Sequence, residues 1–262
     1  MMRMRPHGPW ATGGDGPTGR FDQSGHEGPA PAVVSWIPHA LSLCGLTCGF
    51  LSLVLSSRGE FAPAAAFVIA AIFFDGFDGA AARALHCDGP FGEMMDSLAD
   101  LVVFGIAPAF LAYQANLRYF DQAAPAIPAG AFAGAAFVGC GAIRLARFPL
   151  VKAERYFLGL PIPMAGAFLA MLGVYAADVP RVVVPVATIG VGLLMVSSIH
   201  FPKFGTALGP LPPLARWMLC LAMAPILFAV EARTILFLLA FYLTLGPASE
   251  VRLALDRADH RQ

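Results

Sequence analysis

The chain has 262 residues, of which 58% are hydrophobic and only 13% charged, too apolar a balance for an ordinary soluble domain. Its 17 basic residues are matched by 17 acidic ones. Bulk charge therefore gives no case for nucleic acid as a partner.

Residues 1–33 are rich in Gly, Pro, Asp and Ser and hold no apolar run long enough for a signal peptide. They predict a disordered cytoplasmic arm. Beyond them, segments of the roughly 17–25 residues needed to span a bilayer recur along the chain. We read them as 36–57, 61–85, 92–115, 127–148, 162–179, 182–199, 214–230 and 233–247. The first opens on Trp36, an interfacial anchor, with Pro38 placed in the first helical turn. The connection 84–91 is short and broken by Gly89-Pro90, so the second and third spans are antiparallel neighbours. Residues 149–161 form a longer basic loop ending in Gly159-Leu160-Pro161-Ile162-Pro163. The stretch 200–213 is a further Pro-rich loop, and 248–262 a short charged tail. This is an all-α, polytopic integral membrane protein with no room for a soluble second domain.

With residue 1 in the cytoplasm and eight spans, 13 of the 17 basic residues fall on the cytoplasmic side. Only Arg58, Arg118, Arg181 and Arg233 fall outside, a clear positive-inside bias. Cys44, Cys48, Cys87, Cys140 and Cys220 form no C-x-x-C pair, and small packed side chains are the reading for them.

The chemistry lies in Asp75-x2-Asp78-Gly79-x2-Ala82-Arg83-x8-Gly92-x3-Asp96-x3-Asp100. Ionisable groups at membrane depth are costly and point to function. Asp75 and Asp78 are three apart, Asp96 and Asp100 four apart, so each pair shares one face of its helix. Bringing the two faces together gathers four carboxylates, which repel one another unless cations sit among them. Oxygen-only ligands suit a hard ion such as Mg2+ or Mn2+. Such an ion would bridge the carboxylates to the oxygens of a diphosphate. Three aspartates suffice for metal, and the fourth is free to take a proton from an attacking hydroxyl. Gly79 and Gly92 remove side chains where helices or a nucleotide come close, and Arg83 offers a planar fork suited to phosphate. Arg83 alone cannot neutralise four carboxylates by ion pairing. An ion or proton pathway would explain the carboxylates, but not the Gly and Arg at fixed offsets.

This run resembles the signature of the CDP-alcohol phosphatidyltransferase family, with all eight specified residues matched over 26 positions. The resemblance implies a membrane enzyme with a six-helix core, usually a homodimer, that moves a phosphatidyl group from a CDP-linked lipid to an alcohol and releases CMP. It implies a divalent-metal cofactor held by Asp75, Asp78 and Asp96. Asp100 contributes to the metal site in some members and acts as general base. Gly79, Ala82 and Arg83, with Gly92, would meet the CDP moiety. The stretch 96–109, together with Arg144-Leu145-Ala146-Arg147-Phe148 and Gly159–Pro163, resembles the phosphatidylserine synthase branch. That implies CDP-diacylglycerol and L-serine as substrates, with glycerol 3-phosphate or inositol phosphate as alternative acceptors. Localisation in the cytoplasmic membrane, with the site facing the cytoplasm, follows. The likeness spans about 36–200, giving an arm 1–33, a core 34–200, an additional hairpin 201–247 and a tail 248–262. The first helix of the family commonly reads Pro-Asn-x-x-Thr; here it is Pro38-His39-Ala40-Leu41-Ser42, which keeps a hydroxyl but replaces an amide.

Arg144 and Arg147 share a face at the cytoplasmic end of their helix. They serve either as positive-inside anchors or as a bidentate contact to the serine carboxylate or a lipid phosphate. Lys152 and Arg155 read as surface charges facing anionic lipid. Ser97 reads as a helix hydrogen-bonder, Glu93 as an exposed or supporting carboxylate at its helix start, and His39, His86 and His200 as structural or interfacial.

Overall fold

A computed structural model of the chain describes residues 32–85, 89–123, 128–147, 156–202, 239–240 and 242–244. Six helices account for nearly all of them. The first runs Ala32–Ser57 and the second Phe61–Ala84. The third extends continuously over Pro90–Ala123 and the fourth covers Ala129–Arg147. The fifth and sixth are Ile162–Val174 and Val183–Val196. The first four are long and apolar enough to cross a membrane, and the last two are shorter apolar helices. The expected spans 214–230 and most of 233–247, the arm 1–31, and the tail lie outside the described residues.

Several boundaries differ from the sequence reading, each for a local reason. The first helix begins at Ala32, so Pro38 sits inside it. Proline removes only its own N–H donor, and a membrane helix tolerates that loss. The third helix starts at Pro90, which fits a first turn because that turn needs no N–H. At its far end it runs past the apolar stretch to Ala123, because the polar residues there have work to do. Asp121 accepts N–H bonds from Gly130 (2.7 Å) and Ala131 (3.2 Å), satisfying orphan donors at the start of the fourth helix. Nearby, the Arg181 guanidinium lies 4.0 Å from the centre of the Tyr119 ring. The fifth helix stops at Val174, ahead of a run of turns and Pro180. The sixth stops at Val196, where Ser197 turns extended.

The third helix is the axis of the bundle. Val103, Phe104, Ala107, Leu111 and Ala112 on it are all buried. Two glycines let its neighbours approach that closely. A Cβ at Gly49 of the first helix would stand 2.9 Å from Val103 Cγ2, and one at Gly166 of the fifth 2.5 Å from the Phe104 carbonyl oxygen. Helices in lipid associate by such close packing, because burial from water no longer drives them together. Two π-helical stretches, Leu101–Ile106 and Tyr113–Leu117, interrupt the α-helical pattern of this third helix. The first begins directly after Asp100.

One feature absent from the sequence reading joins the two basic loops. Tyr156–Leu158 and His200–Pro202 pair as antiparallel strands, with Phe157 opposite Phe201. The pair sits at the end of the bundle where the fourth and sixth helices finish. There Arg147 Nη1 donates to the Val196 carbonyl at 3.2 Å.

Candidate active site

The second helix carries Asp75 and Asp78 towards its end, and the third carries Asp96 and Asp100 near its start. Three of these four side chains meet. Asp75, Asp78 and Asp96 each offer a carboxylate oxygen, and these atoms all lie within 4.8 Å of one another. Asp78 is buried, whereas Asp75 and Asp96 are half-buried. Asp100, one turn beyond Asp96, is an electrostatic neighbour of all three but stands outside that group of three. Arg144, from the end of the fourth helix, is a further electrostatic neighbour of Asp100.

Such a group of hard oxygen donors fits a divalent cation of the Mg2+ or Mn2+ type. Three unscreened carboxylates this close are otherwise hard to keep charged in an apolar bundle. The donor set therefore agrees with the metal site that the aspartate spacing implies.

The first helix supports the site through Ser42. Its hydroxyl lies 2.7 Å from Asp78 Oδ2 and 3.2 Å from the Pro38 carbonyl oxygen. A hydroxyl has one proton to give, and the shorter contact to a carboxylate is the stronger. Ser42 thus ties the first helix to the second and fixes the rotation of the Asp78 carboxylate. The sequence reading registered only that a hydroxyl is retained at this position, since a contact 36 residues apart leaves no local pattern.

His39, one turn earlier, fills the space over Gly92. A Cβ there would stand 3.3 Å from the imidazole Cε1. The ring also packs edge-on against Trp36 (centroids 5.8 Å apart) and Phe91 (5.3 Å). Gly92 therefore makes room for a neighbouring helix side chain at the mouth of the site. Gly79 and Ala82 lie half-buried on the second helix. For Arg83 only the backbone, in the last turn of that helix, belongs to the described residues. Ser97 donates to the Glu93 carbonyl at 2.9 Å, and Glu93 is exposed. His86, Lys152 and Arg155 lie outside the described residues.

The two arginines part company. Arg147 is exposed and engaged with the Val196 carbonyl. Arg144 turns inward, and its Nε is buried without a hydrogen-bond partner among the described residues.

The sequence profile of the CDP-alcohol phosphatidyltransferase family matches residues 35–246, most of the chain. The chain belongs to that family. Among its relatives, a CDP-diacylglycerol–serine O-phosphatidyltransferase of Bacillus subtilis is 34% identical over 172 residues, 65% of this chain and 92% of the relative. An archaetidylserine synthase of Methanothermobacter thermautotrophicus is 35% identical over 176 residues, covering 64% of this chain and 70% of the relative. A CDP-diacylglycerol–serine O-phosphatidyltransferase of Helicobacter pylori is 33% identical over 178 residues, 64% of this chain and 72% of the relative. Family membership and the apolar helices together make this a multi-pass membrane protein of an enzyme family.

Proposed function

We propose that the protein transfers the phosphatidyl group of CDP-diacylglycerol to the hydroxyl of L-serine, giving phosphatidylserine and CMP. The observation that carries this reading is the cluster of Asp75, Asp78 and Asp96 within 4.8 Å, in a chain whose relatives are named for serine transfer. The relatives' names differ in the lipid, phosphatidyl or archaetidyl, while serine is common to them.

Asp75, Asp78 and Asp96 would hold a Mg2+ or Mn2+ ion, whose chemistry there is to offset the charge of the diphosphate. Ser42 keeps Asp78 in its ligating rotation. Gly79, Ala82 and Arg83 would meet the CDP moiety, while the acyl chains remain in lipid. Asp100 takes the proton of the serine hydroxyl as that oxygen attacks the phosphorus bearing diacylglycerol. The bond from that phosphorus to the CMP oxygen breaks, and direct attack predicts inversion at phosphorus. Serine arrives from the cytosol, in keeping with the positive-inside arrangement of the loops around the site. A homodimer in the cytoplasmic membrane completes the proposal.

Arg144 is proposed to receive the serine carboxylate as a bidentate fork, with Arg147 serving as an anchor. Lysine keeps the charge but loses the fork. Arg144→Lys should raise the apparent KM for serine by about tenfold, the scale of one charge-assisted hydrogen bond. Arg147→Lys should leave it within about twofold, because its contact is to a backbone carbonyl. Steady-state kinetics in serine for both variants checks this, and an unchanged KM in Arg144→Lys ends the assignment.

The reaction itself is tested with purified protein, labelled CDP-diacylglycerol and a panel of alcohols, with and without Mn2+. Metal-dependent CMP release with L-serine, and not with glycerol 3-phosphate or inositol phosphate, is the expected result. Release with another alcohol would move the acceptor, and no release with any would favour an ion or proton pathway.

A further inference from the structure

The third helix leaves the α-helical pattern at the residue after Asp100. In an α-helix the Phe104 carbonyl would accept from the N–H of residue 108, but residue 108 is proline. Proline has no N–H, and its ring collides with the carbonyl four residues back. A proline inside a helix can as well produce a kink. Here the backbone widens instead, and the Ala107 N–H returns to the Val102 carbonyl, five residues back. Pro108 itself is buried.

Three neighbouring helices each present a glycine to this wide turn. A Cβ at Gly49 of the first helix would stand 3.1 Å from the Val103 Cα, and one at Gly141 of the fourth 4.0 Å from Leu101 Cδ1. One at Gly166 of the fifth would stand 2.8 Å from the Phe104 Cα and 2.5 Å from its carbonyl oxygen, the acceptor that Pro108 leaves without its α-helical donor.

From this geometry we infer that Pro108 and Gly166 are positioning residues for Asp100. The inference rests on the reading of Asp100 as the base. A turn closed over five residues rotates the helix before it relative to the helix after it. The part after it is fixed in the bundle by Ala107, Leu111 and Ala112, all buried. The turn therefore sets the direction in which the preceding segment, Pro90–Asp100, presents its last residue. Asp96 lies one turn further away and belongs with Asp75 and Asp78 in the group that fits a metal ion. A change in the turn thus falls mainly on Asp100.

The test is Pro108→Ala in the full-length protein, which gives residue 108 an N–H, removes the ring and lets the stretch close as α-helix. The kcat for serine-dependent CMP release should fall about tenfold or more, since misplacement by ~1 Å can cost about 100-fold. Mn2+ affinity, read by electron paramagnetic resonance, should stay within about threefold, because the three proposed ligands are untouched. The unfolding temperature should not fall, because alanine is the better helix former. Gly166→Ala crowds the Phe104 backbone directly and should lower kcat in the same way, again with Mn2+ affinity kept. Gly173→Ala, two turns further along the fifth helix, crowds the Leu111 side chain instead and should leave kcat within about twofold. In an Asp100→Asn background Pro108→Ala should cost nothing further, because residues acting as a unit are non-additive. Normal kcat in Pro108→Ala beside slow turnover in Asp100→Asn overturns the positioning role and leaves the base standing. Equal kcat losses in Gly166→Ala and Gly173→Ala, a loss that tracks Mn2+ affinity or thermal stability, or additive losses with Asp100→Asn also overturn it. Near-normal turnover in Asp100→Asn overturns both assignments.

Discussion

Asp100→Asn is expected to fold and to bind CDP-diacylglycerol, yet to turn over at least ~100-fold more slowly, the usual scale of general-base loss. The amide has almost the same shape as the carboxylate but cannot take a proton. The argument for Asp100 as the base is one of position. It neighbours the other three aspartates without joining the group whose oxygens lie within 4.8 Å of one another. It is also an electrostatic neighbour of Arg144, the residue proposed to hold the acceptor. Serine-dependent CMP release, measured beside binding of the CDP-lipid, checks the prediction. Near-normal turnover would remove the assignment. A large rise in the Mn2+ concentration needed for activity would instead place Asp100 among the ligands.

The second large effect belongs to Asp78. This is the buried member of the cluster, and Asn in its place keeps the volume but loses the charge. We expect Asp78→Asn to weaken Mn2+ binding by at least ~100-fold and to abolish CMP release, since even an outer partner of a metal ligand is typically worth about 10- to 100-fold. Ser42→Ala provides the graded comparison. It removes only the hydroxyl that orients the Asp78 carboxylate, and should cost about tenfold in Mn2+ affinity. Direct titration of Mn2+ by its electron paramagnetic resonance signal gives a readout independent of turnover. Equal and small effects in both variants would argue that Asp78 serves packing rather than metal.

The four aspartates were legible in the sequence because both spacings are helical and charge in an apolar span is rare. The first four spans were legible as well, because an apolar run of bilayer length needs no tertiary information. What failed to show were features set by contacts. Asp121 lengthens the third helix by capping the next one, a partnership only the fold reveals. The π turns after Asp100 leave the composition unchanged, so no pattern marks them. A three-residue strand is too short for alternation to register, and its partner lies more than 40 residues away. Arg144 and Arg147 looked equivalent at three-residue spacing, yet one points inward and the other meets the end of the sixth helix.

The strand pair also bears on how this polypeptide can be shortened. A chain cut after residue 200 would keep His200 opposite Leu158 but forfeit Phe201 and Pro202, two of the three rungs. The first rung lost is Phe201, whose ring packs against that of Tyr242. Trimming to the six helices would therefore loosen the end of the bundle where Arg147 meets the sixth helix, one turn along the fourth helix from Arg144, the residue proposed to receive the acceptor.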